Sequence, residues 1–335
     1  MTTAFRFLAT LPLIALVLGC ESDSDRSIAG TLLADHTANF SAWSEPVSLG
    51  STINTSFNDQ QSILSKDGLS LYFASARPES PEDVSFDQNL WVSQRACADD
   101  SCPWRAPVSL GSTVNSAVND FSPALSRDGH WLFFASARQP GGAGSGDIWV
   151  AFRKNVHDDL GWQPPVNLGT GVNTSGFEGG PAYFENDDVG VPQLYFNRNP
   201  LPSNAGGDIY ASEQAADGSW GTAVPVTELN SDSTDQRPSV AFNGLEIYFY
   251  SNRTGSTLNP AGLLTTDIWV STRESVLAPW SPPTNVGPEI NTALPELHPF
   301  IFSRGNTEEL YFTRNVPGGG NDLFVSTRTR EGNGP

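Results

Sequence analysis

The chain has 335 residues, with 18 Lys plus Arg against 37 Asp plus Glu, a formal net charge of −19, and 38% hydrophobic residues. That balance suits a folded chain rather than a disordered one, and at this length a core needs no metal or disulfide framework. The negative excess excludes nucleic acid as a partner, because its phosphates would be repelled.

The N-terminus reads as an address. Arg6 precedes an apolar run from Phe7 to Leu18 that is too short for a permanent membrane helix. The ending Val17-Leu18-Gly19-Cys20 resembles the lipobox of bacterial lipoproteins. The resemblance implies a signal peptide over residues 1–19, lipidation at Cys20 and a polar tether over 20–39, leaving 40–335 as the folded domain. Acyl chains, at about 0.8 kcal/mol per buried CH₂, would hold such a protein at a membrane. Glu21 rather than Asp follows the cysteine, which favours the outer membrane of the cell envelope, facing the periplasm.

The rest is organised by repetition. Trp43, Trp104, Trp162, Trp220 and Trp280 open similar phrases such as WSEPVSLG and WRAPVSLG. A second phrase follows each, an aliphatic residue, Asn, Ser or Thr, three residues, then Asp or Glu. A third phrase ends in arginine (LYFASAR, LFFASAR, LYFNR, IYFYSNR, LYFTR), and a fourth reads NLWVS, DIWVA, DIYAS, DIWVS and DLFVS. Each unit thus holds four short runs rich in β-branched and aromatic residues, separated by Gly, Pro, Asn and Asp. Asp67-Gly68 and Asp128-Gly129 are hairpin signals between the second and third phrases. Five such units predict an all-β, five-bladed β-propeller with four antiparallel strands per blade. The last unit lacks an outer strand after DLFVS, and the Trp43 phrase lacks a blade of its own. The N-terminal strand should therefore close the ring and remove two sheet edges.

Within the first unit, Cys97 and Cys102 are predicted to form a local disulfide in an oxidising compartment. The second unit, Ser122 to Val150, resembles the TolB-type WD40-like repeat through Ser122-Pro123, Ser126, Asp128-Gly129, Phe134, Ser136, Arg138 and Asp147-Ile148-Trp149. The resemblance implies a propeller blade. It does not imply a role in the Tol–Pal system, because the α/β domain of TolB has no room before the first strand.

The candidate site residues come from the same repeats. Asp59, Asp120, Glu178, Asp235 and Glu296, one per blade, are expected to ring the mouth of the channel. Neighbours about 8 Å apart would repel by roughly 2 kcal/mol at an effective dielectric near 20. Arg77, Arg138, Arg198, Arg253 and Arg314 close the third phrase and offer forked partners for these acids, which makes the sets architectural staples between blades. Breaks in the symmetry mark better site candidates: His298 beside Glu296, Arg237 beside Asp235, and Phe177 beside Glu178. The loops 78–88 and 254–266 are long enough to rim a pocket. Eight of the nine tryptophans belong to repeat phrases and are expected to be architectural.

The functional expectation is a monomeric, lipid-anchored protein that binds an envelope protein or glycan on its channel face without catalysis. The alternative is a carbohydrate-active enzyme, a glycosidase using channel carboxylates. No cofactor is called for, and no zinc site is expected from the scattered histidines; a channel cation such as calcium is the one ion the acid ring would suit.

Overall fold

The computed structural model describes residues 40–99, 101–185, 188–199 and 206–331. The signal peptide, Cys20 and the tether lie outside the described residues. The chain forms five four-stranded antiparallel sheets, and no helix occurs among the described residues. A first short strand, β1 (Val47–Ser48), precedes the first full blade, which runs through β2 (Asp59–Leu64), β3 (Ser70–Ser75), β4 (Asn89–Gln94) and β5 (Val108–Ser109). The second holds β6 (Asp120–Leu125), β7 (Trp131–Ser136), β8 (Asp147–Phe152) and β9 (Val166–Asn167). The third holds β10 (Phe177–Phe184), β11 (Gln193–Asn199), β12 (Asp208–Glu213) and β13 (Val224–Pro225). The fourth holds β14 (Asp235–Val240), β15 (Glu246–Ser251), β16 (Asp267–Thr272) and β17 (Thr284–Asn285). The fifth holds β18 (Glu296–Arg304), β19 (Thr307–Val316) and β20 (Gly320–Thr329). It is completed by β1, through the pairs Val47↔Val325 and Ser48↔Phe324. Ring closure by the N-terminal strand is thus observed.

Each sheet packs on both of its faces, so the third-phrase strands are buried almost throughout: Leu71, Tyr72, Phe73 and Ala74 are all inaccessible. This is why those runs read as continuous hydrophobic segments instead of alternating ones. The apolar residues gather into five clusters, each shared by two neighbouring blades; one joins Tyr72 and Leu90 to Phe121 and Trp149. Apolar burial therefore holds blade to blade, as it must where one sheet has no other partner.

The second phrase is a clasp. Asn115 accepts from the backbone N–H of Leu90 at 2.9 Å and donates to its carbonyl at 3.1 Å, reaching back to the preceding blade. Asn54, Asn173, Asn230 and Asn291 do the same with Leu323, Ile148, Ile209 and Ile268. The Asn side chain imitates a strand partner where no strand lies, satisfying a buried N–H and C=O that would otherwise be orphaned.

A second set of repeated arginines accounts for the strand-opening tryptophans. Arg95, Arg153, Arg273 and Arg328 lie over Trp104, Trp162, Trp280 and Trp43, with guanidinium-to-ring distances of 4.5, 4.4, 4.1 and 4.6 Å. The third unit carries Gln214 at this position, and Trp220 instead meets Phe133 and Tyr183 edge-on. Arg153 is fully buried, and it is balanced by Asp159 at 2.7 Å and the Tyr72 hydroxyl at 2.8 Å. Cys97 and Cys102 are joined in a disulfide.

Candidate functional site

Two faces are distinguished by the loops. The link face carries the connections into each inner strand, and the opposite hairpin face carries the turns between first and second strands. The five repeated acids begin or nearly begin the inner strands on the link face, but they do not point into the channel. Asp59, Asp120, Glu178, Asp235 and Glu296 are all fully buried. Each is held within its own blade. Glu178 accepts from Arg198 Nε at 2.8 Å, and Glu296 accepts from Arg314 Nε at 2.8 Å. Asp59, Asp120 and Asp235 accept instead from Nη2 of Arg77, Arg138 and Arg253. The hydroxyl and backbone N–H of Thr55, Ser116, Thr174, Ser231 or Thr292, four residues earlier, donate to the same carboxylates.

Each arginine also donates to the carbonyl that opens the second phrase, as Arg138 does to Val114 at 2.6 Å and Arg198 to Val172 at 2.7 Å. The Arg–acid sets therefore fasten the link to its own blade, while the asparagines fasten that link to the blade before. The acids form no open ring at the channel mouth: burial and arginine pairing remove them from it.

What does enter the channel lies two residues further on. Gln61, Ser122, Gly180, Arg237 and His298 occupy equivalent positions, and all five have a left-handed backbone, with φ between 52° and 61°. Each inner strand carries one extra residue here, as between Gln60 and Ile63 or Phe121 and Ala124. In four blades the bulge has a sequence cause, since Pro123, Pro181, Pro238 and Pro299 come next and proline cannot donate to a ladder; the first blade bulges with Ser62 at that position. A left-handed backbone costs a non-glycine residue on the order of 1 kcal/mol, so four such residues in one ring mark a place where the fold imposes strain.

The five are chemically unlike, and they meet. Gln61 Oε1 accepts from the Ser122 N–H at 2.8 Å, and the Gln61 amide lies 3.4 Å from His298 Nε2. Arg237 Nη1 donates to Ser122 Oγ. To do so it passes over Gly180, where a Cβ would lie 2.5 Å from Arg237 Cδ; only glycine fits this position. His298 Nδ1 is 3.3 Å from Thr313 Oγ1, and its ring meets Tyr250 edge-on. Burial first, and then the charge of Arg237, hold the His298 pKa well below its usual value, so the imidazole is neutral.

The three symmetry-breaking candidates thus converge. Arg237 lies over Phe121 at 5.3 Å, and Phe121 stacks on Phe177 at 6.1 Å. His298 stands next to the same cation, whereas Glu296 is occupied by Arg314 and Thr292.

A cavity of about 320 Å³ runs from this ring toward the hairpin face, where Lys66, Arg127, Glu185 and Phe242 surround its mouth. The loops 78–88 and 254–266 contribute nothing to its walls. They project from the link face with exposed Val84, Phe86, Leu258 and Leu263. The only three-residue group among the described residues with metal-ligand spacing is Cys97, Asp99 and Cys102, and its two sulfurs are spent in the disulfide.

Other acids keep some exposure on the link face. Burial, followed by the charge of Asp235, raises the Asp208 pKa, and burial followed by Asp59 raises that of Asp322. Asp208 opens β12 and Asp322 is the third residue of β20, and both remain partly exposed. Asp147 is shifted the same way, with Glu178 beside it, but is buried.

No protein-family model matches the chain, and no curated protein matches it. Solved structures do. An α-L-arabinofuranosidase from Lactobacillus brevis superposes with a TM-score of 0.55 at 14% identity, covering 84% of this chain and 93% of its own. An endo-arabinase from Bacteroides thetaiotaomicron gives 0.55 at 14% identity over 88% and 99%. A thermostable family-43 glycoside hydrolase gives 0.55 at 14% identity over 82% and 90%. At such identities the likeness shows the fold, a five-bladed propeller of the kind on which these glycoside hydrolases are built.

Two expectations are corrected. The neighbours are glycoside-hydrolase propellers rather than TolB-type ones. They also overturn the expectation of a non-enzymatic binding or scaffold protein and favour its carbohydrate-active alternative.

Proposed function

We propose that the chain is a carbohydrate-active enzyme, a glycoside hydrolase on a five-bladed propeller. The observation that carries the reading is the likeness, across nearly the whole of the neighbours' own length, to an arabinofuranosidase, an endo-arabinase and a family-43 glycoside hydrolase. Glycoside hydrolysis needs two carboxyl groups, one of which must carry a proton to the leaving oxygen. The five stapled acids are unsuited to this, being inaccessible and fixed by arginine. Asp208 and Asp322 suit it better. They face solvent in part, and burial beside a second carboxylate favours the protonated form that a general acid requires. The glycan would then lie on the link face, over the third-strand starts and between the two long loops.

The test is reducing-sugar release from arabinan, xylan and aryl glycosides by the purified chain. Asp208→Asn or Asp322→Asn should lower turnover by on the order of 100-fold, the usual scale of general acid catalysis, without lowering the unfolding midpoint. Absence of turnover across the panel, or full activity in both variants, would refute the reading.

A further inference from the structure

We infer that the end of the channel around Arg237 is a receptor for a small carboxylic acid with an apolar body. The inference begins with a charge that lacks a counter-charge. The five arginines that close the third phrases are each matched by a carboxylate. Arg237 belongs to none of the ion pairs formed among the described residues, and its buried Nε has no hydrogen-bond partner. Its neighbours are neutral: the Ser122 hydroxyl, the Tyr250 hydroxyl, the face of Phe121 and the imidazole of His298.

A half-buried guanidinium without a counter-charge is costly, and the fold nevertheless makes room for it with the bare backbone of Gly180. An anion is the complement such a group calls for, and a carboxylate matches the planar fork of arginine. A cation in this ring would face Arg237 directly.

The cavity defines the rest of the ligand. Its walls between ring and mouth include Pro123, Pro181, Pro238, Ala124, Ala182 and Phe300. A volume of about 320 Å³ is on the small-molecule scale, and these apolar walls make up most of a lining that also carries Ser62, Ser126, Tyr183 and Ser239. At the mouth Lys66 and Arg127, both exposed, outnumber Glu185 and leave its lining net positive. An inorganic anion would leave the apolar walls unused. The site opens on the hairpin face, so it stands independently of whether a glycan is cleaved on the link face.

Calorimetric titration of the full chain with benzoate, benzamide and inorganic phosphate tests the inference. Benzoate should bind one to one, at least tenfold more tightly than benzamide or phosphate. Arg237→Gln should abolish that tenfold advantage while leaving benzamide binding unchanged. Equal affinity for benzoate and benzamide, phosphate binding as tight as benzoate, or undiminished benzoate binding in Arg237→Gln would overturn it. Should the variant fail to fold, the comparison of the three ligands on the unaltered chain decides alone.

Discussion

Replacing Asp120 by Asn changes one oxygen for an amide nitrogen at a fully buried position. One carboxylate oxygen accepts from Arg138, and the other accepts from the Ser116 hydroxyl at 2.8 Å and the Ser116 N–H. Every partner is a donor. An amide must therefore turn its own NH₂ toward either Arg138 or Ser116, and Arg138 loses its counter-charge in both orientations. Breaking a buried ion pair on one side costs about 3–5 kcal/mol. Arg138 retains 15% side-chain exposure and can rehydrate in part, which favours the lower end of that range. With an unfolding entropy of about 2.1 cal/mol/K per residue over roughly 290 residues, a loss of about 3 kcal/mol lowers the midpoint by roughly 5 °C. Scanning calorimetry of the variant beside the unaltered chain measures this. A midpoint within about 1 °C of the original, above all if glycan turnover disappeared at the same time, would refute the staple and return Asp120 to the reaction centre.

Three further outcomes are expected. In Asp322 the folded carboxyl holds its proton to higher pH than the unfolded one, so its contribution to stability falls as pH rises through the raised pKa. Asp322→Asn should accordingly raise the unfolding midpoint near neutral pH and leave it little changed below the ordinary Asp value of about 3.9; an equal change at both would refute the assignment. His298 has the opposite sign. Its folded pKa is depressed, so stability is lost as pH falls below the unfolded value of about 6.5, where only the unfolded ring takes up a proton. His298→Gln should flatten that acid limb, and an unaltered limb would show that the ring is not held neutral. Finally, Cys20→Ser should move the protein from the membrane fraction to the soluble one if the lipobox-like ending is used, and persistence in membranes would dismiss the anchor.

The architecture was legible because five copies of one phrase average out local ambiguity. The unpaired Trp43 phrase even showed where the ring closes. The site was harder, for a geometric reason. Spacing places Asp120 near the start of an inner strand, but not which way its side chain turns. The bulge at Ser122, one extra residue, decides that the position two later enters the channel. Its signal was present in the prolines at 123, 181, 238 and 299, which do not belong in a regular strand. The second arginine set was equally readable, six residues after the start of each fourth phrase, with Gln214 as its one departure. Symmetry breaking was the sounder guide, since His298, Arg237 and Phe177 share one neighbourhood. No sequence pattern, however, shows that Arg237 lacks an acid; that required knowing that Asp235, two residues away, is spent on Arg253.

The closure of the fifth blade sets an order of events. Ser44 bonds Ser326 across 282 residues of chain. At a synthesis rate of about 5–20 residues per second, that interval is roughly 15 s to a minute. For all of that time the first strand has no partner, and the first blade has an open flank where the fifth will sit. Four blades can stack as they emerge, but the circle is completed only once β20 has been made. The joint is therefore the latest of these contacts to form and the natural place for a chain lacking β20 to stay open.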